Sequence, residues 1–188
     1  MKIGIIDSGI GGLTIFRKLI EYFPGHSFFY VADKEHFPYG EKTKNEIVDI
    51  LEDIVDIFKR MDLIVIACFT ASSYVREVKT DKKIVTVIDV INDHLEKHNY
   101  KDVSIIGTKH SINSNLFKKP IKERINGQEL INQIEMNCVY DYDWLNDIDS
   151  ESLIMGCTHF NYLPELKIKA IRSDDLIVDF IKKSLQLE

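Results

Sequence analysis

Short strand patterns alternate with helical patterns along almost the whole chain, and this alternation limits the possible folds more than any other feature. Apolar runs of strand length occupy residues 3–6, 28–32, 63–67, 84–87, 103–106 and 153–155. Apolar residues at helical spacing occupy 13–22, 43–61, 89–98 and 179–187. Parallel strands need long crossover connections, which are usually helices. The pattern therefore predicts an α/β fold with a mostly parallel sheet, while residues 118–150 carry no clear periodic signal.

The composition is that of a globular protein, with 45% hydrophobic and 29% charged residues among 188. This length suits one or two domains with a proper core. No apolar stretch approaches the roughly 20 residues of a membrane span. Met1 and Lys2 lead directly into the first strand pattern, without the plan of a signal peptide. We therefore expect a cytoplasmic protein that does not enter a membrane.

The charge balance argues against a nucleic-acid partner. The formal charge is -6 at pH 7, with 24 Lys and Arg against 30 Asp and Glu. Nucleic-acid backbones are bound by clustered Lys and Arg. The nearest such cluster, Lys79, Lys82 and Lys83, is interrupted by Asp81 and is typical of a solvated surface.

Two stretches of the first half resemble stretches of the second. Residues 63–68 and 152–157 each end a strand pattern in a small residue and a cysteine, and a threonine follows soon after each cysteine. Residues 3–8 and 103–108 are each a short strand that ends in a small polar pair. Two related α/β halves that face each other would bring Cys68 and Cys157 into one cleft, since ligands bind at the carboxyl ends of parallel strands.

A glycine-rich turn at residues 7–14 follows the first strand and opens a helix. Its glycines allow a tight turn, and its exposed N–H groups suit an anion such as a carboxylate. It is neither a dinucleotide fingerprint, because Thr14 stands three residues after Gly11, nor a phosphate-binding loop, because no Gly-Lys-Ser/Thr follows. Asp7, at the strand end, is a candidate functional carboxylate.

The three cysteines are expected to be free thiols, since their number is odd and secretion signals are missing. Cys68 and Cys157 could each serve only as a small buried residue at the end of a strand. Each, however, also has a nearby candidate residue that could exchange a proton with the thiol or stabilise the thiolate. His159 lies two residues after Cys157, and Asp7 is the candidate for Cys68. Cys138 has no such partner, and we expect no role for it.

Two other uses of these residues are disfavoured. Cys68, Cys157 and His159 would supply three zinc ligands, but no second pair at ligand spacing exists, so we predict no metal. A Cys-His hydrolase needs only one thiol and would not explain a matched pair.

Four motifs, in order, resemble those of the bacterial-type glutamate racemases of the aspartate/glutamate racemase superfamily. They occupy residues 7–14, 38–42, 67–72 and 156–160. Order and spacing match through about residue 117 and again from 153 onward. The resemblance implies two similar parallel-sheet α/β domains that face each other across the active site. It also implies racemisation of an amino acid by two cysteines without a cofactor. We expect residues 1–91 with 172–188 to form the first domain and 92–171 a shortened second one.

The resemblance also implies roles for individual residues. Cys68 and Cys157 match the two catalytic thiols, and Asp7 and His159 match the residues that assist them. The positions that match substrate-binding residues are Ser8, Tyr39, Gly40, Phe69, Thr70, Thr108, Ser111 and Thr158.

The chain departs from the family pattern in two ways. Phe69 stands where the family has an asparagine that contacts the substrate, and phenylalanine makes no conventional hydrogen bond. The chain is also shorter within 118–150, so we expect a carboxylate that is sometimes assigned to the site to be absent. The leading hypothesis is interconversion of L- and D-glutamate for peptidoglycan, by a homodimer. The alternatives are a racemase of another amino acid, or a degenerate racemase fold that binds a carboxylate or acts as a regulator.

Overall fold

The computed structural model describes residues 1–186, which form two parallel four-stranded sheets of the same design. The first sheet contains β1 (Lys2–Asp7), β2 (Ser27–Ala32), β3 (Leu63–Ile66) and β4 (Ile84–Thr86), in the order β2-β1-β3-β4. The second contains β5 (Val103–Gly107), β6 (Arg124–Asn126), β7 (Ser152–Gly156) and β8 (Lys169–Ile171), in the order β6-β5-β7-β8. The predicted α/β class with two facing parallel-sheet units is therefore confirmed.

Seven helices accompany these strands in the described part of the chain. Their bounds are α1 (Leu13–Tyr22), α2 (Lys44–Ile57), α3 (Phe69–Ser72), α4 (Val87–Lys97), α5 (Lys109–Ile112), α6 (Gln128–Glu135) and α7 (Ser173–Gln186). Among residues 1–186, no helix is long and apolar enough to cross a membrane.

The similar stretches of the two halves, 3–8 with 103–108 and 63–68 with 152–157, correspond to the two central strands of each sheet. β1 pairs with β3, and β5 pairs with β7, both in parallel. All residues of β3, β5 and β7 are buried, as expected for parallel strands that are covered on both faces. The carboxyl ends of these central strands therefore stand in equivalent places in the two halves.

A shared core joins the two sheets. Ile3 and Ile5 of β1 and Ile105 of β5 point into it, together with apolar residues of α4 and α7. Because side chains alternate along a strand, Ile6 points to the opposite face and packs with α2 residues such as Leu51. The opposite face of the second sheet packs in the same way against α6. Each sheet is thus covered on both sides.

Several elements differ from the sequence-based expectation, among them the four-residue helices α3 and α5, which were not predicted. β6 and β8 were not predicted, since each is a three-residue edge strand that begins with a charged residue and carries no apolar run of strand length. α6 lies in the stretch without periodic signal. α7 begins at Ser173, six residues before the predicted start, and Leu187 of the predicted helix lies outside the described residues. α7 packs against α1 and α4. The assignment of 172–188 to the first domain stays a prediction, and its last two residues also lie outside the described part.

Candidate active site

The predicted site residues come from the carboxyl ends of the central strands. Asp7 ends β1, and Cys68 follows β3 at the start of α3. Thr108 follows β5, and Cys157 follows β7. Parallel sheets present functional side chains at this edge, and the two sheets present them toward one another.

Cys68 is a buried thiol whose hydrogen-bond partner is Ser8. The Ser8 Oγ and Cys68 Sγ atoms lie 3.4 Å apart, and only 6% of Cys68 is exposed. Burial raises the pKa of Cys68 to about 12, and the nearby negative charge of Asp7 acts in the same direction. Cys68 is therefore a protonated thiol at neutral pH. Asp7 reaches it through electrostatics, while Ser8 makes the direct contact.

The glycine-rich turn binds carboxylates of the protein itself. The N–H groups of Gly9 and Gly12 donate to Asp7 Oδ2 at 3.2 and 3.0 Å. The N–H of Ile10 donates to Glu135 Oε2 at 3.1 Å. The sequence predicted that this turn suits an anion, and the structure fills it with Asp7 and Glu135. These three N–H groups are therefore not available to a substrate carboxylate in this arrangement.

Asp7 also connects the two halves. The Thr158 hydroxyl donates to Asp7 Oδ1 at 3.2 Å, and Asp7 has no exposed surface. A Cβ atom at Gly11 would lie 2.3 Å from Thr158 Oγ1, so the close approach of the turn to Thr158 requires glycine. Burial raises the pKa of Asp7, although His159 and the N–H donors of the turn oppose this effect.

Cys157 belongs to a chain of three polar side chains. Its Sγ atom lies 3.3 Å from His159 Nδ1, and His159 Nε2 lies 2.6 Å from Glu135 Oε2. Burial alone would lower the pKa of His159, but its interactions with Cys157, Glu135 and Asp7 raise it to about 10. The imidazole is therefore protonated at neutral pH. It donates toward Cys157 on one side and Glu135 on the other.

Glu135 corrects one expectation from the sequence. The shortened stretch was predicted to leave the site without a further carboxylate, and this was wrong, because α6 ends at Glu135 beside His159. Burial would raise the pKa of Glu135, but His159 and the Ile10 N–H lower it overall. The available signal was the spacing of Leu130, Ile131 and Ile134, which is helical but spans only two turns.

A second group of predicted residues forms a hydrogen-bonded chain between the halves. Thr70 Oγ1 lies 2.8 Å from Thr108 Oγ1, which lies 2.9 Å from Ser111 Oγ. Gly40 adjoins this chain, since a Cβ atom there would lie 3.1 Å from Thr108 Cβ and 2.0 Å from Gln128 Oε1. The structure thus brings together Thr70, Thr108, Ser111 and Gly40 around the α3 and α5 starts.

Tyr39 and Phe69 make contacts that the sequence did not predict. The Tyr39 hydroxyl donates to Asp33 Oδ2 at 2.6 Å, so this hydroxyl already has a protein acceptor. Phe69 is 1% exposed, and its ring packs in the shared core. A substrate contact for either side chain stays a prediction. Cys138 is exposed on the loop after α6, where its thiol donates to the Met136 carbonyl.

The site is closed around these groups. Thr158 and His159 are 2% and 1% exposed, and Cys157 is 8% exposed. A substrate therefore reaches the thiols only if the surrounding elements move apart. Among residues 1–186, no group of three or more His, Cys, Asp or Glu side chains is placed to hold a metal ion.

The curated relatives indicate the family of this chain. No family model matches the chain. A curated glutamate racemase of Prochlorococcus marinus (strain NATL1A) is 30% identical over 200 residues, which cover 95% of this chain and 75% of that protein. This chain belongs to the glutamate racemase family. A curated family member from Fusobacterium nucleatum is 29% identical over 215 residues, covering 98% of this chain and 80% of the relative.

Solved structures of family members share the fold. The glutamate racemase of Francisella tularensis, in complex with D-glutamate, superposes with a TM-score of 0.83 at 26% identity, over 98% of this chain and 80% of that one. The glutamate racemase of Campylobacter jejuni gives a TM-score of 0.80 at 28% identity, over 98% and 86%. The predicted family and its two-sheet architecture are both confirmed for this glutamate racemase family member.

Proposed function

We propose that the protein interconverts L- and D-glutamate at the site between the two sheets, with Cys68 and Cys157 as the two bases. One observation carries the proposal. Two buried thiols stand after equivalent strands of facing sheets, and each has its own polar partners, Ser8 for Cys68 and His159 for Cys157. Glutamate is the substrate that the family members are named for.

The proposed reaction moves one proton off the α-carbon and another onto it. A thiolate on one face takes the α-hydrogen as a proton, forming an S–H bond as the C–H bond breaks and leaving the electron pair on the α-carbon and its carboxylate. The thiol on the opposite face donates its proton to the α-carbon and becomes a thiolate. The product has the opposite configuration, and the two sulfurs have exchanged roles, so no cofactor is consumed.

The surroundings of the two thiols indicate which of them donates a proton first. Cys68 holds its proton firmly, because its pKa lies at about 12. Protonated His159 donates toward Cys157, and a hydrogen bond from a cation stabilises negative charge on sulfur. By this geometry Cys157, the thiol beside His159, is proposed to act as the base on L- or D-glutamate first, with Cys68 as the acid. Asp7 and Glu135 do not contact the substrate in this proposal. They position Thr158 and His159, to which they are hydrogen-bonded.

For the substrate contacts we propose the residues that the family resemblance implied. In this proposal, hydroxyl and backbone groups of the site bind the amino and carboxylate groups of the substrate. Phe69 is included because it stands where the family has an asparagine that contacts the substrate. These residues are Ser8, Tyr39, Gly40, Phe69, Thr70, Thr108, Ser111 and Thr158.

The decisive experiment follows hydrogen exchange at the α-carbon. L-glutamate, D-glutamate, L-aspartate and a panel of other amino acids are incubated with the protein in heavy water and followed by NMR and chiral chromatography. We expect deuterium incorporation with inversion for glutamate. Exchange with another amino acid but not with glutamate would show that the other amino acid is the substrate. Calorimetric binding without any exchange would favour the carboxylate-binding alternative.

Cysteine variants test the assignment of the two bases. Cys68→Ser and Cys157→Ser are each expected to abolish racemisation, because a serine hydroxyl is a far weaker acid than a thiol. Cys138→Ser is the matched control, since Cys138 is exposed and its only side-chain hydrogen bond within the described residues is to the Met136 carbonyl. Equal activity in all three variants would overturn the two-base assignment.

Three broader expectations belong to the same proposal. D-glutamate for peptidoglycan would be made in the cytoplasm, where wall precursors are assembled. The protein is proposed to act as a homodimer, and sedimentation showing only monomer at tens of micromolar would contradict this. The proposed domains are 1–91 with 172–188, and 92–171.

A further inference from the structure

A polar cavity lies beside the closed site, between the two halves of the molecule. Its volume is about 740 Å³. One wall is formed by the turn at 40–42, the start of α2 and the end of α3, and the other by α5 and the loop after it. We call it the Lys42–Lys109 cavity, after two lysines that line it.

This cavity adjoins the Thr70–Thr108–Ser111 chain from outside. Gly40 lines the cavity and also touches the surroundings of Thr108. Lys109 directly follows Thr108 in α5, and the N–H of Ser73, another lining residue, donates to the Thr70 carbonyl at 3.2 Å. A molecule in the cavity therefore borders this hydroxyl chain, whose members are proposed substrate contacts.

The cavity carries unpaired positive charge on a protein that is negative overall. Lys44 forms an ion pair with Glu77 at 2.7 Å, which neutralises one lysine of the lining. Within residues 1–186, Lys42 and Lys109 take part in no ion pair, and Glu41 is the remaining acidic residue of the wall. The formal charge of the chain is -6, so anions are repelled from much of its surface. The cavity is suited to collect a molecule with two carboxylates and one ammonium group.

The boundary between cavity and site is crossed by polar contacts between the halves. His110 Nδ1 lies 2.6 Å from the Tyr74 hydroxyl, and His110 Nε2 donates to the Lys42 carbonyl at 2.8 Å. Thr70 and Thr108 meet beside it at 2.8 Å. When such polar contacts break, water or a polar substrate can replace the lost hydrogen bonds. Separating apolar side chains offers no such replacement. This boundary is thus a suitable place for the closed site to open.

From these observations we infer that the Lys42–Lys109 cavity is an antechamber that binds the α-amino dicarboxylate substrate before it passes to the thiols. Lys42 and Lys109 attract its carboxylates, and the layer at Thr70, Thr108 and His110 parts to admit it. This inference rests on the proposed racemisation of glutamate and adds the route by which the substrate arrives.

A charge-removal variant tests the inference by binding, independently of turnover. The variant is Lys42→Gln combined with Lys109→Gln. The control, Lys59→Gln combined with Lys82→Gln, removes the same charge at the far end of α2 and before β4. Glutamate is titrated into each labelled protein, and amide resonances of unchanged cavity residues, such as Ser73 and Asn113, are followed by NMR. We expect shifts in the wild type and the control that need about three- to tenfold more glutamate in the Lys42/Lys109 variant.

Two further measurements sharpen the result. Glutamine has nearly the shape of glutamate but only one carboxylate, so we expect its binding to weaken less than that of glutamate when the two lysines are replaced. In the racemase assay, the KM for glutamate is expected to rise about three- to tenfold in the Lys42/Lys109 variant, with a smaller change in kcat and a weaker dependence of kcat/KM on salt.

The outcomes separate this inference from the proposed function. Cavity resonances that do not respond to glutamate, or a Lys42/Lys109 variant that behaves like its control, would overturn the antechamber. A wild type that shows no α-hydrogen exchange would overturn the racemase proposal, and the titration would still decide whether the cavity binds glutamate.

Discussion

His159 keeps its proton although it is buried. The interactions with Cys157, Glu135 and Asp7 outweigh the effect of burial and raise the pKa of His159 to about 10. Its contact with Glu135 is the shorter of its two hydrogen bonds, at 2.6 Å. Glu135 therefore contributes to the charge of a residue that itself contacts a proposed base. Removal of the Glu135 charge alone should change the pH dependence of the reaction.

The corresponding variant is Glu135→Gln, which keeps the shape of the side chain. Without the Glu135 charge, His159 loses its proton at lower pH. We expect the alkaline limb of the pH profile of kcat/KM for glutamate to move to lower pH, with kcat reduced about 10²-fold or less. Glu129→Gln, on the same helix, is the control. A profile that keeps its alkaline limb would contradict the role assigned to Glu135.

Phe69 is the residue at which the sequence departs most clearly from its family, and its environment predicts the effect of replacing it. The ring is 1% exposed in the shared core. Phe69→Asn removes apolar contacts and buries an amide, so we expect the free energy of unfolding to fall by about 3–5 kcal/mol. Chemical denaturation measures this change, and Phe69→Leu should cost less. If the Phe69→Asn protein is stable and has a higher kcat/KM for glutamate, residue 69 contacts the substrate rather than the core.

At the scale of elements, the start of α4 is defined by a reciprocal cap. The Thr86 hydroxyl accepts from the Asp89 N–H at 3.1 Å, and the Thr86 N–H donates to Asp89 Oδ2 at 3.0 Å. α4 packs against α7 and against α3, the helix that begins beside Cys68. This cap therefore stabilises a helix that supports the site without belonging to it.

Removal of the Thr86 hydroxyl tests this distinction. Thr86→Ala is expected to lower stability by about 1 kcal/mol, because Ala accepts no hydrogen bond at the helix start. For a chain of this size that is a fall of about 2–4 °C in Tm. Thr86→Ser retains the hydroxyl and should stay near the wild type. Calorimetry measures both, and loss of kcat at low temperature without loss of Tm would contradict a purely supporting role.

At the scale of the whole molecule, two buried site residues, His159 and Cys68, make the free energy of unfolding decrease as pH rises. The pKa of His159 is about 10 in the folded protein against an ordinary 6.5, so its stabilising contribution is complete below pH 6.5 and is lost as pH rises toward 10. The pKa of Cys68 is raised from 9.0 to about 12, so this thiol adds a further loss above pH 9. The free energy of unfolding should therefore decrease on the alkaline side.

Urea denaturation at pH 6.5, 8 and 9.5 measures this decrease. We expect a slope of up to about 1.4 kcal/mol per pH unit from His159 alone, the value for one proton held more tightly in the folded state. His159→Gln should flatten the slope between pH 6.5 and 9 even if it lowers stability overall. A free energy of unfolding that stays level or rises over this range in the wild type would contradict the assigned protonation of His159.

The sequence by itself determined the fold class, most central strands and the two strand-end cysteines. Strands and amphipathic helices are encoded in contiguous residues at periods of two and about 3.6, so their pattern can be read locally. Cys68, Cys157 and Thr108 follow such strands, and parallel strands bring their carboxyl ends to one edge. The four motifs then indicated the family. Short elements such as β6, β8 and α6 carried too few residues for the same signal.

Only the tertiary structure decided the contacts between distant parts of the chain. Glu135 lies beside His159 because α6 packs under the second sheet, and no local pattern encodes that neighbourhood. The turn that suited an external anion is filled by Asp7 and Glu135, and Phe69 packs in the shared core. Such contacts arise when whole elements pack together. Their partners are far apart in sequence, and packing alone determines which polar group meets which.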